Sequence, residues 1–514
     1  MDWTAGYNSE VEYTAGFYRE QSPVYLNFVC VLHGYEPVPL DQPYNYCELG
    51  FGRGLTVNLL AAANPTGNFY AADFNPAHVA GAQQLAKNAQ LDNLTLLENS
   101  FEELAQGAVA DLPQFDFITL HGIYTWVTAE NRQHIIQFIS RYLKPGGLVY
   151  LSYNAMPGWT MALPLQRLLV EHADLHPNRS DKQIDLAATF VEKMVELNAG
   201  YFSSNPGLKQ RLDTIKNGSR NYLVHEYMHK HWQPLYFADV ARDMGEAKLD
   251  FIGSAELPFA FQSLYFNQDR QDFLNAITDR TIRETMQDYF LNTGFRKDVF
   301  IRGARHMPSA RQTEFFSKAN LALITPRDDI SLNMKLAIGE VNGKPKIYTP
   351  ALDAIAEAPK TLRELSQLPG LSGNNFKGMI EVASILTGSN QSGIYFNTPT
   401  AADTDAAKRL NRALAEQTRY SDEYQALCSP VLGNGINANY LERLLILLLL
   451  ENPTVTDPDT LAIAGWNIMK TQGRCMMKDG KRLQPNEDNL KVLEQNFAHL
   501  MKHKLPIWKQ LQIL

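Results

Sequence analysis

Cysteine is scarce in this chain, and paired cysteine motifs are absent. The four cysteines, Cys30, Cys47, Cys428 and Cys475, are scattered and form no C-x-x-C pair. Such spacing favours neither a disulfide framework nor a zinc knuckle. We therefore expect a protein of a reducing compartment, the cytoplasm.

Long apolar runs are also absent. The most apolar stretch, Leu444 to Leu450, is much shorter than the roughly 20 residues that span a bilayer, and we predict a buried helix there. Residues 1–20 are acidic and polar, whereas a secretory signal has a basic start and then an apolar run. These features predict neither membrane insertion nor export.

Positive charge is in deficit, with a net charge of -8 and a pI near 5.9. This balance argues against a broad phosphate-binding face, so no nucleic-acid partner is expected. The hydrophobic fraction of 45% and the charged fraction of 20% are those of a globular protein. At 514 residues the chain exceeds one compact core, and we expect several domains.

The first third of the chain alternates short apolar runs with helical patterns, which is typical of a parallel α/β sheet. Helices are predicted over residues 76–89 and 129–143, the first with Asn75 as its cap. Strands are predicted over residues 44–49, 68–73, 94–97, 115–120 and 148–153.

The rest of the chain divides by pattern into further regions. Residues 160–228 are helical and irregular and predict an insertion, after which strands over 248–257 and 297–303 complete the sheet. Short strands over 321–324, 346–348 and 393–396 indicate a small α+β domain, and apolar spacing over 413–427 and 440–452 predicts a mostly helical end. The predicted domains are 1–160, 161–305, 306–400 and 401–514.

A glycine-rich turn, ELGFGRG over residues 48–54, follows the first strand and opens a helix. Asp73 ends the next strand, where a carboxylate can accept ribose hydroxyls. The spacing G-x-G-x-G differs from the dinucleotide pattern, and Glu48 would repel a pyrophosphate but suits a ligand with an ammonium group. A plain tight β-to-α turn is the alternative.

This combination resembles the class I S-adenosylmethionine-dependent methyltransferases, whose first motif is [D/E]-x-G-x-G-x-G. The resemblance implies a Rossmann-like sheet and S-adenosylmethionine as cofactor. Ser100 departs from the acid that is usual at its position, and a helix cap is an equal alternative for it. The residues that the resemblance assigns to the cofactor are Glu48, Gly50, Phe51, Gly52, Gly54, Asp73, Phe74, Ser100 and Phe101.

A narrower resemblance is to methyltransferases with an attached regulatory domain, among them bacterial protein-lysine methyltransferases. It implies a protein acceptor, with lysine favoured over a small molecule, and a carboxy-terminal extension that selects substrates or forms a homodimer. The matching stretches are residues 12–26, 48–54, 121–127, 150–159, 222–228, 233–241 and 284–303.

Candidate catalytic residues lie near the ends of the fourth and fifth strands. Tyr124, Trp126, Tyr153 and Asn154 could build an aromatic pocket that desolvates a lysine amine, with core packing or helix capping as an even alternative. His121 is either a general base or, preferably, a structural histidine.

The stretch HEYMH over residues 225–229 matches a zinc-protease signature but lacks its context. Lys230 replaces the usual uncharged residue, and Pro234 would end a helix soon after the motif. We therefore expect no metal site and assign His225 and Glu226 to orienting or deprotonating the acceptor. A non-catalytic methyltransferase fold that serves as a binding module is the remaining alternative.

Overall fold

The computed structural model describes residues 15–176, 178–218, 220–371, 376–396, 404–478, 481–483 and 486–514. Two parts of the sequence predictions lie outside these residues. They are residues 12–14 of the first stretch that resembles the methyltransferases with a regulatory domain, and the predicted domain boundary at 400/401.

A seven-stranded sheet is built from strands that lie between Tyr44 and Arg302. Its order is β3-β2-β1-β4-β5-β7-β6, with β1 to β5 parallel and β7 antiparallel to both β5 and β6. This confirms the predicted Rossmann-like methyltransferase sheet. The strands are β1 (Tyr44–Leu49), β2 (Gly67–Asp73), β3 (Leu94–Glu98), β4 (Phe115–Leu120), β5 (Leu143–Asn154), β6 (Leu249–Ser254) and β7 (Phe295–Arg302).

Helices precede and connect the parallel strands. The fifth helix ends at Tyr142, one residue before its predicted limit, and β5 follows it directly, starting earlier than the predicted strand over 148–153. These helices are α1 (Pro23–Leu32), α2 (Leu55–Ala63), α3 (Pro76–Ala89), α4 (Phe101–Gln106) and α5 (Ala129–Tyr142).

Both faces of the sheet are buried, because successive side chains of a strand point to opposite sides. Tyr46 and Tyr150 belong to a core that includes residues of α1, α2 and α3. Cys47 and Leu151 belong to the opposite core, which includes residues of α5 and of a later helix, Phe237–Glu246. This double covering explains why the strands are apolar along most of their length.

The predicted helical insertion follows β5, and its described residues contain no strand. It has a small core of its own around Trp159, Leu165 and Leu223. Its helices and those that follow before β7 are α6 (Leu163–Leu175), α7 (Ser180–Glu196), α8 (Gly200–Ser203), α9 (Lys209–Asn217), α10 (Arg220–Tyr227), α11 (Phe237–Glu246), α12 (Gln268–Asn275) and α13 (Arg280–Leu291).

An α+β region follows, with a three-stranded sheet of order β11-β8-β12 and a β9–β10 hairpin. The predicted strand over 346–348 is wrong, because these residues lie in a helix that begins at Pro345, where proline favours a helix start. The elements are α14 (Ser309–Lys318), β8 (Asn320–Leu323), β9 (Asn333–Leu336), β10 (Gly339–Asn342), α15 (Pro345–Glu357), β11 (Lys360–Thr361), α16 (Leu362–Ser366), α17 (Phe376–Gly388) and β12 (Ser392–Tyr395).

The last region is mostly helical, but the helix predicted over 413–427 ends at Gln417. Residues 426–429 form a strand instead, because the Asn411 side chain bonds both the N–H and the carbonyl of Cys428 and holds that backbone in a hairpin. The elements are α18 (Asp405–Gln417), β13 (Ala426–Ser429), β14 (Asn434–Asn437), α19 (Tyr440–Glu451), α20 (Pro458–Thr471), β15 (Met477–Lys478), β16 (Lys481–Arg482), α21 (Asn486–His499), a π-turn (Leu500–Lys504) and α22 (Leu505–Gln510).

The leucine-rich run lies in α19, where Leu444 to Leu448 are buried, as predicted. None of the helices in the described ranges is long and apolar enough to cross a membrane.

We expect Gly54→Ala to destabilise the methyltransferase sheet by roughly 2–5 kcal/mol, from left-handed backbone strain and overpacking. Gly54 has a φ of +72°, and a Cβ there would lie 2.4 Å from the Cβ of Ala82. Gly52→Ala is the matched control, since Gly52 has a φ of +57° but open space at its Cβ position. Equal melting temperatures for the two variants would contradict the close α2–α3 packing.

Candidate cofactor site

A cavity of about 310 Å³ opens at the carboxyl ends of β1, β2 and β4. This is the edge where open α/β sheets bind ligands. All the predicted cofactor residues except Gly54 line it, namely Glu48, Gly50, Phe51, Gly52, Asp73, Phe74, Ser100 and Phe101.

Glu48, near the end of β1, is buried beside this cavity. Gln21 donates a hydrogen bond of 3.2 Å to its Oε1, whereas Oε2 is buried and accepts none from the described residues. Burial raises the pKa of Glu48 to about 8, against the effect of the Gln21 hydrogen bond. An unsatisfied carboxylate oxygen of this kind fits an ammonium group, which would favour the ionised form.

Asp73, at the end of β2, is fixed by its neighbours. One oxygen accepts the N–H of Gly52 at 2.9 Å, and the other accepts the N–H of Asn75 at 2.9 Å and lies 3.3 Å from Nδ1 of His78. An ionised carboxylate can accept about four hydrogen bonds, so this side chain keeps capacity for ligand hydroxyls.

The three glycines of the turn have different structural roles. All have positive φ, and a Cβ at Gly50 would lie 2.5 Å from Cδ1 of Ile123. Gly52 has open space at its Cβ position and borders the cavity. Gly54 lies outside the lining and allows α2 to approach Ala82, so its predicted place beside the cofactor is corrected to a packing position.

Ser100 caps α4 and also lines the cavity. Its hydroxyl accepts the N–H of Glu103, and the Glu103 carboxylate accepts the N–H of Ser100, which is a capping box. The helix-cap alternative is therefore confirmed without removing Ser100 from the site.

The predicted acceptor residues divide into two groups. His121, Trp126, His225 and Glu226 line the cavity. Tyr124, Tyr153 and Asn154 are not among the lining residues.

Tyr124 and Tyr153 belong to the sheet core that also contains Cys47 and Leu151. The hydroxyl of Tyr124 donates to Asp243 and that of Tyr153 donates to Asp298, both at 2.7 Å. Asn154 is buried at the end of β5, where its carbonyl accepts the N–H of Leu235. Strand alternation therefore directs Tyr153 away from the pocket for which it was predicted.

His121 is held on two sides. Its Nδ1 lies 2.8 Å from the Tyr150 hydroxyl, and its ring stacks on that of Tyr18 with centroids 3.5 Å apart. Burial lowers the pKa of His121 to about 3, so the imidazole is neutral near pH 7. This environment favours the structural interpretation of His121.

The HEYMH stretch is divided by the end of α10 at Tyr227, so His225 and His229 do not share one helix. His229 lines the cavity, which the sequence did not indicate, and its ring stands edge-on to Trp126 with centroids 5.7 Å apart. Burial raises the pKa of Glu226 to about 7 and lowers that of His229 to about 4. The described residues contain no group of three or more His, Cys, Asp or Glu side chains that could hold a metal ion.

Residues 15–22 form a strap across the cavity that sequence reasoning missed. Gly16 and Tyr18 line the cavity, and the N–H of Tyr18 donates to the Thr56 hydroxyl at 3.2 Å. The Thr56 hydroxyl in turn donates to the Gly16 carbonyl. The sequence indicated this strap only through the resemblance of residues 12–26 to the methyltransferases with a regulatory domain, and these residues form no known catalytic or binding motif.

The later parts of the chain hold this strap. The Arg19 guanidinium donates to the carbonyls of Thr387 and Gly388, at 2.6 and 3.0 Å. Neither of these residues lines the cavity. The Ser22 hydroxyl donates to the Gly433 carbonyl, and the Asn434 side chain donates to the Arg19 carbonyl, each at 3.0 Å. The carboxy-terminal half therefore positions one wall of the cavity.

Two family models match the chain. One, described as a methyltransferase domain, matches residues 40–213, and the other, described as a predicted methyltransferase regulatory domain, matches residues 219–302. An uncharacterized protein of Synechocystis sp. is 38% identical over the whole of both chains. An uncharacterized protein of Rickettsia prowazekii is 25% identical over 43% of this chain and 86% of its own.

Solved structures show the same fold over almost the whole chain. PKMT2 from Rickettsia typhi in complex with AdoHcy aligns with a TM-score of 0.69 at 18% identity, covering 98% of this chain and 99% of its own. A second PKMT2 structure aligns over the same shares with a TM-score of 0.67 at 17% identity.

Gly52→Arg should abolish S-adenosylmethionine binding, because the new side chain would extend into the cavity. Gly303→Arg is the matched control, since Gly303 also has a positive φ and open space but is exposed outside the cavity. Calorimetric titration should show wild-type affinity for the control alone. Equal affinity for Gly52→Arg and wild type would contradict the site.

Arg19→Ala should weaken cofactor binding roughly three- to tenfold, although Arg19 does not line the cavity. The loss follows from releasing the strap, and faster cofactor dissociation should accompany it. Arg327→Ala, which removes an ion pair with Asp353 in the same α+β region, should leave the affinity unchanged. Unchanged affinity for Arg19→Ala would show that the strap holds without the Arg19 anchor.

Proposed function

This chain belongs to the S-adenosylmethionine-dependent methyltransferases that carry a methyltransferase regulatory domain, and from this premise we propose that it methylates lysine side chains of a protein acceptor. The observation that carries the proposal is Glu226, a carboxylate in the cavity wall whose pKa burial raises to about 7. A carboxylate with this pKa can accept a proton from an ammonium group near neutral pH.

The charged groups of the cavity suit the cofactor. S-adenosylmethionine, when bound, supplies a methyl group activated by its sulfonium charge. We assign its ammonium group to Glu48 and its ribose hydroxyls to Asp73, while Phe74, Ser100 and Phe101 border the adenine. The orphaned Oε2 of Glu48 supports this orientation.

Methyl transfer to an amine requires a free lone pair, so the acceptor lysine must lose its proton first. Trp126 and the neutral His229 border the same cavity as Glu226 and would reduce the hydration of the ammonium form. Glu226 accepts the proton, and His225 orients the amine beside it. The walls then hold the nucleophile in line with the methyl group, and such alignment contributes roughly 7–11 kcal/mol.

The fold comparison also supports a protein acceptor. The solved Rickettsia typhi structure is named PKMT2, and its fold aligns with 98% of this chain, which includes the region after residue 302.

The acceptor can be identified by incubating the enzyme with labelled S-adenosylmethionine and a bacterial lysate. We expect label on lysine residues of proteins, located by mass spectrometry, and none with the Gly52→Arg variant. Label confined to small molecules would overturn the protein-acceptor proposal. Cofactor binding without any transfer would favour the non-catalytic binding module.

Glu226→Gln should lower the rate roughly a hundredfold at neutral pH and change its pH dependence. Because the base must be ionised, the wild-type rate should rise as pH increases through about 7, the pKa of Glu226. The glutamine variant should lack this rise and keep only the one set by the lysine itself. Glu171→Gln is the control, since Glu171 is an exposed partner of Arg167. A wild-type pH profile in Glu226→Gln would remove the assigned role.

A further inference from the structure

The strap contacts the cofactor site at one further point, the carboxyl group of Glu48. Gln21 of the strap is completely buried, and Glu48 is 3% exposed. The Gln21 amide donates to Oε1 of Glu48 at 3.2 Å. Its chain neighbours are held elsewhere, since Arg19 donates to two carbonyls of α17 and Glu20 pairs with Lys297. The strap is therefore fixed where Gln21 meets the group assigned to the cofactor ammonium.

Both of these side chains keep one buried oxygen without a hydrogen-bond donor. Oε1 of Gln21 and Oε2 of Glu48 accept no hydrogen bond from the described part of the chain. Leaving a buried acceptor unpaired is unfavourable, most of all when it belongs to an ionised carboxylate. One proton on Oε2 of Glu48 removes both defects, because a protonated carboxyl group is a donor as well as an acceptor. It can then donate to Oε1 of Gln21 while its own Oε1 still accepts the Gln21 amide.

The charged and titratable groups around Glu48 do not compensate an ionised carboxylate. Burial raises the pKa of both neighbours on β1, so they are neutral, and the imidazole is neutral for the reason given above. The guanidinium pairs with Glu423. The negative charge of Asp73 adds to burial in raising the pKa of Glu48. These groups are Tyr46 and Cys47 on β1, Asp73 on β2, His121 after β4 and Arg53 in the glycine-rich turn.

We propose that Glu48 carries a proton in the cofactor-free protein, where it forms an acid–amide pair with Gln21, and that cofactor binding releases this proton. The inference rests on the cofactor orientation of the proposed function, with the ammonium group beside Glu48. The O–H bond of Glu48 breaks, the proton leaves to solvent, and the ammonium charge compensates the carboxylate in its place. Gln21 is a positioning residue, because it holds the acid before binding and keeps one hydrogen bond to the carboxylate afterwards.

Cofactor affinity then depends on pH. The pKa of Glu48 is raised to about 8 in the free protein, and the ammonium group lowers it in the complex. Below the pKa of the free protein, the free protein therefore holds one proton more than the complex, and protons compete with the cofactor. Affinity should rise roughly tenfold per pH unit between about pH 6 and 7.5 and should level off above about pH 8.

Calorimetric titration with S-adenosylhomocysteine measures the released proton directly. Binding enthalpies in two buffers of different ionisation enthalpy give the number of protons exchanged, and at pH 7 we expect about 0.9 proton released per cofactor. Glu48→Gln has no carboxyl group to titrate and should bind more weakly, without this release. Glu226→Gln is the matched control and should keep the release, although Glu226 lines the same cavity and has a pKa of about 7.

Infrared difference spectra test the pair itself. A protonated carboxyl group has a carbonyl band outside the amide absorption, so wild type minus Glu48→Gln should show this band in the cofactor-free protein at pH 7. The band should disappear when S-adenosylhomocysteine is added to wild type. Gln21→Leu should move the band to higher frequency, because the acid loses its hydrogen-bond partner. A purely structural role of Gln21 would not move it.

The spectra of the cofactor-free protein decide if Glu48→Gln no longer binds the cofactor. If that variant does not fold, the wild-type band should instead titrate away as pH rises through about 8. Absence of the band, or cofactor binding without proton release, would overturn the inference. Release that Glu226→Gln abolishes would also overturn it, since the proton would then come from Glu226. Failed lysine methylation would leave the inference standing and reject only the acceptor chemistry, because these readouts need no acceptor.

Discussion

The ion pair between Glu20 and Lys297 joins the strap to the methyltransferase sheet, and the candidate cofactor cavity depends on this contact. Glu20 belongs to the strap, whose Tyr18 borders the candidate cofactor cavity, and Lys297 lies on β7. Burial would raise the pKa of Glu20, but Lys297 and Arg19 lower it to about 2, so the carboxylate is ionised. A buried pair of this kind is costly to separate, and it therefore fixes the strap against β7.

This arrangement gives the carboxy-terminal half a role in the methyltransferase site itself. Thr387, Gly388 and Gly433 hold the strap through their backbone carbonyls. Two regions distant in sequence thus set the position of Tyr18, which stacks on His121 at the cofactor cavity. The extension therefore reaches the cavity wall through its contacts with the strap.

Local patterns predicted the sheet well because its strands are buried on both faces. The predicted limits of β1 and α3 agree with the structure. The apolar run marks β1 in the sequence, and Asn75 and Pro76 mark the start of α3. The helix predicted over 413–427 failed because a tertiary contact, between Asn411 and Cys428, decides the structure there. The strand predicted over 346–348 failed for a local reason, since Pro345 begins a helix.

Sequence position also indicated that most of the candidate cofactor residues would lie together, because motif residues at strand ends meet at one edge of the sheet. It could not predict the direction of side chains such as Tyr153, which strand alternation turns toward the opposite core. The strap and the contact of Gln21 with Glu48 depend on residues far apart in the chain, so no local pattern shows them.

The central claim is that one cavity, closed by the strap, holds the cofactor between Glu48 and Asp73. A crystal structure with S-adenosylhomocysteine tests it most directly. We predict that the ligand ammonium lies beside Glu48, the ribose hydroxyls bind Asp73 and the Tyr18 ring lies over the same cavity. A ligand bound elsewhere, or bound there with residues 15–22 away from the cavity, would contradict it.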